Sequence, residues 1–475
     1  MLAIVRCQLY THSLVNIKCA CFTIDRMSAR KQAAAQPGDD DMNGPTRREV
    51  LAGASSLSLT AAIPATAQAT GTTQPNSIAD DLARYIGFGS KQSGSEGDAA
   101  CGHWLAGELE EAGFVVEKPV LSVPYFDQAN CEITIDGARA TLWPQPIVIP
   151  TSADGLSGPL VRVDGAGRAD APLSGAIALV DLPYGRWSSA FSKYVRGPVE
   201  AAFAGGAKAA VIVTNGPTGK VIALNADGRA SMFAGPVGLL APADAAAFLS
   251  AAMTHGRATV TLTGQADRRL AFNVIGRMDR QKGKWIVVST PRSGWYGCAA
   301  ERGGGIAAWL DLARNIPRML PDHDIAFLCN SGHEYENLGA KESLKATAPK
   351  PEKTHFWLHL GANLAARDWH EGLFGLSPLP GTDSQRYLVV SPPLLAPARR
   401  LFKGLTGLEG PYPSDKLSAG ELTAIIAAGY PSVAGVFGVH RFHHVADDDE
   451  QCIDASSVAD TTEAFRNLLL EAGKA

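Results

Sequence analysis

The 475-residue chain lacks several features that would assign a protein to a class directly. Its 8 cysteines include no Cys-x-x-Cys pair, which argues against a cysteine zinc cluster. Its net charge of −4 provides no basic surplus, so no nucleic-acid partner is expected. The most apolar N-terminal run is too short for a stable membrane span, so no integral membrane segment is expected in the mature chain. The Gly-x-Ser-x-Gly turn of the serine hydrolases is also absent, which disfavours that class.

The composition that remains is that of a globular protein with more than one core. Hydrophobic residues make up 46% of the chain and charged residues 19%. A chain of 475 residues exceeds one ordinary core, so two or three domains are expected. Nothing in the sequence indicates the oligomeric state.

Residues 42–69 have the order of parts of a twin-arginine signal peptide. Arg47 and Arg48 precede a modestly apolar stretch, 51–63, and small-residue cleavage sites follow at 65–69. The alternative is a chance arginine pair before an alanine-rich helix. Residues 1–41 fit no signal design, and we interpret them as an over-extended start. Export by twin-arginine translocation to a periplasmic or extracellular location is therefore expected.

The mature chain divides into three predicted parts. Residues 70–125 form the first part of a main domain, 126–267 an insertion, and 268–475 the rest of the main domain. The insertion is rich in short strands. Its segments 175–180 (Gly-Ala-Ile-Ala-Leu-Val) and 205–213 resemble the strand and helix-to-strand motifs of a protease-associated domain. An unrelated β-rich insertion is the alternative.

Strand and helix patterns alternate through residues 268–475. The predicted strands are 272–277, 285–290, 324–329, 355–360, 388–391 and 432–437. The predicted helices are 303–314, 337–346, 393–405, 419–428 and 458–472. This alternation predicts an α/β class with a mostly parallel mixed sheet flanked by helices. Sites in such sheets lie at the carboxyl ends of strands, here the loops after Thr290, Cys329, Leu360 and Phe437.

Four pieces of sequence around these loops resemble the di-zinc aminopeptidase family, to which glutamate carboxypeptidase and the transferrin receptor are related. The pieces are Asn273–Gly276, the helix 305–314, the stretch 327–338 with its Gly-His-Glu, and 427–432 followed by Phe442-His443. The resemblance implies a zinc-exopeptidase-like fold. It also implies a metallo-aminopeptidase or amidohydrolase activity on a peptide or small amide substrate.

Most of the family's metal ligands are replaced at the corresponding positions. Pro291 and Ser293 stand where the resemblance implies histidine and aspartate ligands. Ala300 stands at the bridging aspartate, beside Glu301, and His333 stands at the general-base glutamate. Proline, serine and alanine do not hold zinc as imidazole and carboxylate groups do. A standard two-zinc centre is therefore not expected.

The positions that keep ligand chemistry leave two readings open. Glu334, His359 and His443, with His444 as an alternative to His443, could bind a single zinc, and His333 or Glu301 could then move protons. Otherwise the site is degenerate and the fold serves as a peptide- or partner-binding module. We favour the degenerate reading, with no zinc or one ion rather than two. A buried core histidine at position 359 and a solvated loop at 443–444 are the non-functional alternatives.

Overall fold

The structure is a computed structural model that describes residues 77–373 and 375–474. The predicted over-extended start and signal peptide, 1–41 and 42–69, lie outside the described residues. Across the described ranges, no helix combines the length and apolar character needed to cross a bilayer.

The first helix of the described residues, α1 (Ile78–Gly87), begins at a recognisable cap. In α1 the hydroxyl of Ser77 accepts a hydrogen bond from the Asp80 backbone N–H at 3.2 Å, and the Asp80 carboxylate accepts one from the Ser77 N–H at 3.1 Å. This reciprocal capping box satisfies backbone groups that a helix start leaves free. The α-helices of the described residues are α1 (Ile78–Gly87), α2 (Glu96–Glu111), α3 (Lys193–Ala204), α4 (Ala246–Ala252), α5 (Gly304–Met319), α6 (Leu338–Ala346), α7 (Leu395–Leu401), α8 (Gly420–Ala427) and α9 (Ala455–Lys474).

The main sheet has eight strands in the order β1-β10-β12-β11-β13-β18-β16-β17. Its strands are β1 (Val115–Glu117), β10 (Val274–Met278), β11 (Trp285–Pro291), β12 (Asp324–Asn330), β13 (Thr354–Leu360), β16 (Arg386–Val390), β17 (Tyr412–Pro413) and β18 (Val433–Gly438). The central strands β12, β11, β13 and β18 are parallel. They are buried almost throughout, as expected for apolar strands covered on both faces.

The register brings the ends of the central strands to one edge. Pro291 pairs with Asn330, Ser289 with His359, and Leu360 with Val436. The loops that leave these strands therefore meet at one place, which is where a site is expected.

The second sheet also has eight strands, in the order β3-β2-β9-β5-β6-β7-β8-β4. They are β2 (Val120–Ile135), β3 (Ala138–Thr141), β4 (Trp143–Pro144), β5 (Leu156–Asp164), β6 (Ile177–Asp181), β7 (Ala209–Val213), β8 (Val237–Leu240) and β9 (Arg257–Phe272). A separate hairpin pairs β14 (Arg367–Gly372) with β15 (Gly375–Thr382). The predicted α/β class is confirmed as two large mixed sheets flanked by helices.

Two long antiparallel strands, β2 and β9, carry the chain into and out of the second sheet. The predicted ends of the insertion, 126 and 267, fall inside these strands, and Tyr125 lies opposite Asp267. The protease-associated character of this part stays a prediction.

Candidate metal centre

Glu301 lies on a π-helical turn, Ala299–Gly303, that runs into α5. The Asp448 carboxylate accepts hydrogen bonds from the backbone N–H groups of Ala300 at 2.8 Å and of Glu301 at 3.0 Å. These bonds satisfy N–H groups that the helix start leaves free and fix the turn. The Glu301 side chain is held in the interior, 1% exposed.

His443 and His444 follow β18 and face Glu301. Their rings stack with centroids 4.0 Å apart. His444 has a left-handed backbone, φ 61°, which turns its side chain back toward its neighbour. Its Nδ1 lies 2.8 Å from the carbonyl oxygen of Ala223. Because a carbonyl only accepts, Nδ1 carries the hydrogen, and Nε2 faces Glu301 Oε1 at 3.2 Å.

Glu301, His443 and His444 each offer a ligand atom, and these atoms all lie within 4.8 Å of one another. Among the described residues, no other three histidine, cysteine, aspartate or glutamate side chains meet this distance. His443 Nδ1 and both carboxylate oxygens of Glu301 have no aligned hydrogen-bond donor or acceptor in that part of the chain. Buried polar atoms are normally paired. The set therefore contains nitrogen and oxygen atoms of the kinds that zinc binds.

Arg302 places a permanent cation in the same space. Its Nη2 lies 2.7 Å from Glu301 Oε1, its Nε donates to the Ser293 carbonyl at 3.1 Å, and the side chain is 1% exposed. Burial alone would raise the pKa of the Glu301 carboxyl. The Arg302 guanidinium and the neighbouring histidines together outweigh burial and hold that pKa well below its ordinary value. Glu301 is therefore an anion paired with an internal cation.

His443 is the neutral partner in this set. Burial lowers its pKa well below the ordinary value, and the neighbouring His444 lowers it further. A neutral imidazole is the form that binds metals. His443 therefore has the protonation state that a metal ligand needs.

A second polar group surrounds His333, the predicted proton-moving residue. Its Nδ1 lies 3.2 Å from Glu421 Oε1, and Asn330 Nδ2 donates to Glu421 Oε2 at 3.1 Å. Burial lowers the pKa of His333, and the charge of Arg302 adds to that shift. Glu421 thus contacts His333.

Glu334 uses both carboxylate oxygens to join two segments of the main domain. Oε1 accepts from the Ser93 backbone N–H at 2.6 Å, and Oε2 accepts from the Ser293 hydroxyl at 2.7 Å. The side chain is fully buried, and burial raises its pKa. This arrangement ties the loop before α2 to the loop after β11.

His359 is held inside the main sheet. Its Nδ1 lies 2.9 Å from Ser289 Oγ, which also accepts a hydrogen bond from Trp357 Nε1 at 2.7 Å. Burial lowers the pKa of His359 to about 4. Glu334, His359 and His443 do not form one close group among the described residues, which instead bring His443 together with Glu301 and His444. The ligand roles of Glu334 and His359 stay predictions.

A loop of the second sheet covers this centre. We call residues 221–228 the covering loop. Its Ala223 N–H donates to the His444 carbonyl at 3.0 Å, and its Ala226 N–H donates to the Glu334 carbonyl at 3.0 Å. Trp295 Nε1 donates to its Asn225 Oδ1 at 3.0 Å. Ile222, Ala223, Leu224 and Ala226 are at most 2% exposed, so the loop is packed in place as part of the interior.

Glu301, His443 and His444 supply the types and number of ligand atoms that one zinc ion needs. The positive charge of Arg302 beside Glu301 opposes the binding of that ion. An ion bound to Glu301 Oε1 would lie within about 5 Å of Arg302 Nη2, given the 2.7 Å ion pair and ordinary zinc–oxygen bonds. At that distance a divalent ion is repelled by about 7 kcal/mol with an effective dielectric constant of about 20. The apparent binding free energy of structural zinc is about 10–16 kcal/mol, so this repulsion removes much of it.

Comparisons with solved structures identify the fold. No protein-family model and no curated protein match the sequence. A zinc aminopeptidase from Bacillus subtilis superposes with a TM-score of 0.65 at 16% identity, over 84% of this chain and 95% of that one. A peptidase M28 precursor from Shewanella amazonensis gives 0.64 at 19% identity, over 83% and 92%. An aminopeptidase from Aneurinibacillus sp. strain AM-1 gives 0.58 at 17% identity, over 83% and 93%.

These likenesses show that the chain has the fold of zinc aminopeptidases. The resemblance inferred from short sequence pieces is thereby confirmed at the level of the fold.

Sequence reasoning missed two residues of the centre, Arg302 and Asp448. Arg302 was not considered because arginine is ordinarily solvated. Asp448 lies in an acidic run, 447–450, in which nothing in the sequence distinguishes it from Asp447, whose side chain lies 3.8 Å from Lys220 in a largely exposed pair. His444 was held only as an alternative to His443. The available signal for Arg302 was a Glu-Arg pair inside the apolar stretch 298–309.

Proposed function

We propose that this chain is a non-catalytic member of the zinc-aminopeptidase fold, in which Arg302 has taken the place of the metal cation. The observation that carries the proposal is the ion pair between Arg302 Nη2 and Glu301 Oε1 at 2.7 Å, with both side chains buried. A guanidinium cannot be deprotonated in a protein, so its charge is permanent. It neutralises the carboxylate that a metal ion would otherwise neutralise.

The covering loop supports the same proposal. Its backbone is bonded to His444 and Glu334, so a peptide could reach Glu301 only after this loop had moved. The function that remains for such a fold is recognition of a peptide or protein partner on the outer surface.

We further propose that the chain is exported by the twin-arginine route. Residues 42–69 support this proposal, because an arginine pair, an apolar stretch and small-residue cleavage sites follow one another there in the order of such a signal peptide.

Metal content and turnover test the proposal together. The purified chain should contain less than one tightly held zinc after dialysis, and it should release no product from amino-acid 4-nitroanilides. Addition of a chelator should leave its unfolding midpoint unchanged, because no metal contributes to stability. Two bound zinc ions with turnover would overturn the proposal.

A single-metal hydrolase is the second candidate, and one observation favours it. His443 Nδ1 and both Glu301 oxygens are buried without directed partners, although Arg302 lies close by. On this reading a zinc ion held by Glu301, His443 and His444 would supply a Lewis acid. His333, oriented by Glu421, would hold or release a proton. One zinc per chain, with activity lost in His333→Ala, would favour this reading.

A further inference from the structure

A small cavity opens between the second sheet and the main domain, outside the Glu301 centre. Its volume is about 50 Å³. Four aromatic side chains line it, and they are contributed by β2, β4 and the segment after Glu334: Tyr125, Phe126, Trp143 and Tyr335. Three prolines, 124, 144 and 146, complete its apolar wall. None of the residues used in the proposed function lines this cavity.

Asp267 is the one charged side chain among the described residues that line the cavity. The backbone N–H of Arg268 donates to Asp267 Oδ1 at 2.7 Å, and within residues 77–373 and 375–474 no ion pair engages this carboxylate. Gln92 adds an amide whose Nε2 donates to the Tyr335 hydroxyl at 3.3 Å.

The protein already pairs a guanidinium with one of these rings. Arg269 lies over Tyr125, with Cζ 3.6 Å from the ring centroid. Aromatic faces attract alkylated or delocalised cations, and the attraction strengthens as water is excluded.

The volume of the cavity limits the size of the group that it can hold. A cavity of about 50 Å³ holds roughly four non-hydrogen atoms, since each water-sized position needs about 10–15 Å³.

From these observations we propose that the cavity binds a soft organic cation of about four non-hydrogen atoms, as in a trimethylammonium or guanidinium group. Asp267 supplies the opposite charge, and Trp143, Tyr335 and Phe126 supply the aromatic wall. A compact, strongly hydrated ammonium fits less well, because the aromatic wall cannot replace its water. The cation belongs either to a free small molecule or to an arginine side chain of a peptide.

Ligand-observed NMR titration of the full chain tests the proposal and separates the two sources. Choline serves as the free cation, and N-acetyl-arginine amide serves as the side chain. The neutral isostere 3,3-dimethylbutan-1-ol has the shape of choline without its charge. We expect choline or the arginine amide to bind at least fivefold more tightly than the neutral isostere. Equal binding of all three, or no binding of either cation, would overturn the proposal.

Two substitutions locate the site. Asp267→Asn should weaken cation binding about two- to fivefold, as expected for an exposed charge. Asp170→Asn makes the same charge change at an exposed position outside the cavity and should have no effect. Trp143→Leu should weaken binding fivefold or more, with an unchanged circular dichroism spectrum as the check on folding. Equal weakening by Asp267→Asn and Asp170→Asn would indicate attraction to net charge only and would refute the site.

Discussion

At the scale of single residues, one guanidinium acts on four titratable side chains. Burial is the first cause of the pKa shifts of His333, His359 and His443, and the charge of Arg302 lowers the pKa of each of them further. The same charge lowers the pKa of Glu301 against the effect of burial. Burial keeps the surrounding imidazoles neutral with a smaller contribution from this cation, and the cation helps to keep the carboxylate ionised.

Removing this charge should restore a place for zinc. In Arg302→Met the side chain keeps its apolar stem volume and loses the charge, so bound zinc should rise toward one ion per chain. Arg302→Lys keeps the charge and should stay near the wild-type content. The measurement is elemental analysis after incubation with zinc and removal of free metal. A second change, Glu301→Gln, should abolish the gain; equal zinc in the lysine and methionine variants would argue against electrostatic exclusion.

His359 should make the protein less stable in acid. Its pKa falls from an ordinary 6.5 to about 4 on folding, because the side chain is buried. Between these values the unfolded chain binds the proton and the folded chain does not, so stability decreases as the pH falls from about 6.5 to about 4. The slope from this group is up to about 1.4 kcal/mol per pH unit.

Chemical denaturation across this pH range measures that slope. His359→Asn cannot titrate and keeps a polar partner for Ser289, so it should flatten the decrease. His370→Asn, at an exposed position in β14, is the matched control. An identical pH profile for wild type and His359→Asn would contradict the assignment.

At the scale of elements, the covering loop is the segment that packs over Glu301, His443 and His444. Asn225→Ala leaves the buried N–H of Trp295 without its acceptor and should cost about 1–3 kcal/mol of unfolding free energy. It should also speed modification of His443 and His444 by diethyl pyrocarbonate, because the loop loses one of its anchors. The readouts are the unfolding midpoint and the rate of histidine labelling.

A control separates exposure from general destabilisation. Asn215 follows β7, and its Nδ2 donates to Asp181 at 2.9 Å and to the Leu182 carbonyl at 2.6 Å rather than to a histidine or the covering loop. Asn215→Ala should lower stability without faster labelling of His443 and His444. Fast labelling in the wild type itself would mean that the loop does not cover the centre.

The sequence predicts elements well where their residues are uniformly buried. Strands such as β11 and β12 are runs of apolar residues between turn residues, and their bounds are matched to within one residue. The hairpin of β14 and β15 is missed because β15 is almost wholly exposed and has no apolar alternation. The outer parts of β2 and β9 are missed for the same reason. Apolar patterns in a sequence indicate buried strands, and these strands are mostly exposed.

The candidate site is less predictable than the fold. The loops that form it are identified, because the carboxyl ends of parallel strands meet at one edge. The partners within the loops are not identified, because they depend on local backbone geometry. His444 has a left-handed φ of 61°, and Glu301 and Arg302 lie side by side on a π-helical turn. Neither feature has a signature in residue spacing.

At the scale of the whole molecule, the two sheets share buried contacts. Trp295 and Tyr335, which follow strands β11 and β12 of the main sheet, pack in one cluster with Leu121, Val123 and Ala223. Arg186, from the second sheet's part of the chain, pairs with Asp383 at 2.9 Å. We expect residues 77–474 to unfold in one transition, with calorimetric and van't Hoff enthalpies equal. Two resolved transitions in scanning calorimetry would contradict this coupling.

The pairing of β2 with β9 also constrains how this architecture arose. Tyr125 and Asp267 face each other across an antiparallel ladder, so their Cα atoms are only about 4.5–5.5 Å apart. A stretch of more than a hundred residues therefore starts and finishes at neighbouring points. Its gain or loss in an ancestor would have required only the opening or closing of one tight turn. The same geometry makes it a natural graft point, where a foreign module with adjacent termini could be installed while the eight-stranded main sheet keeps its connections.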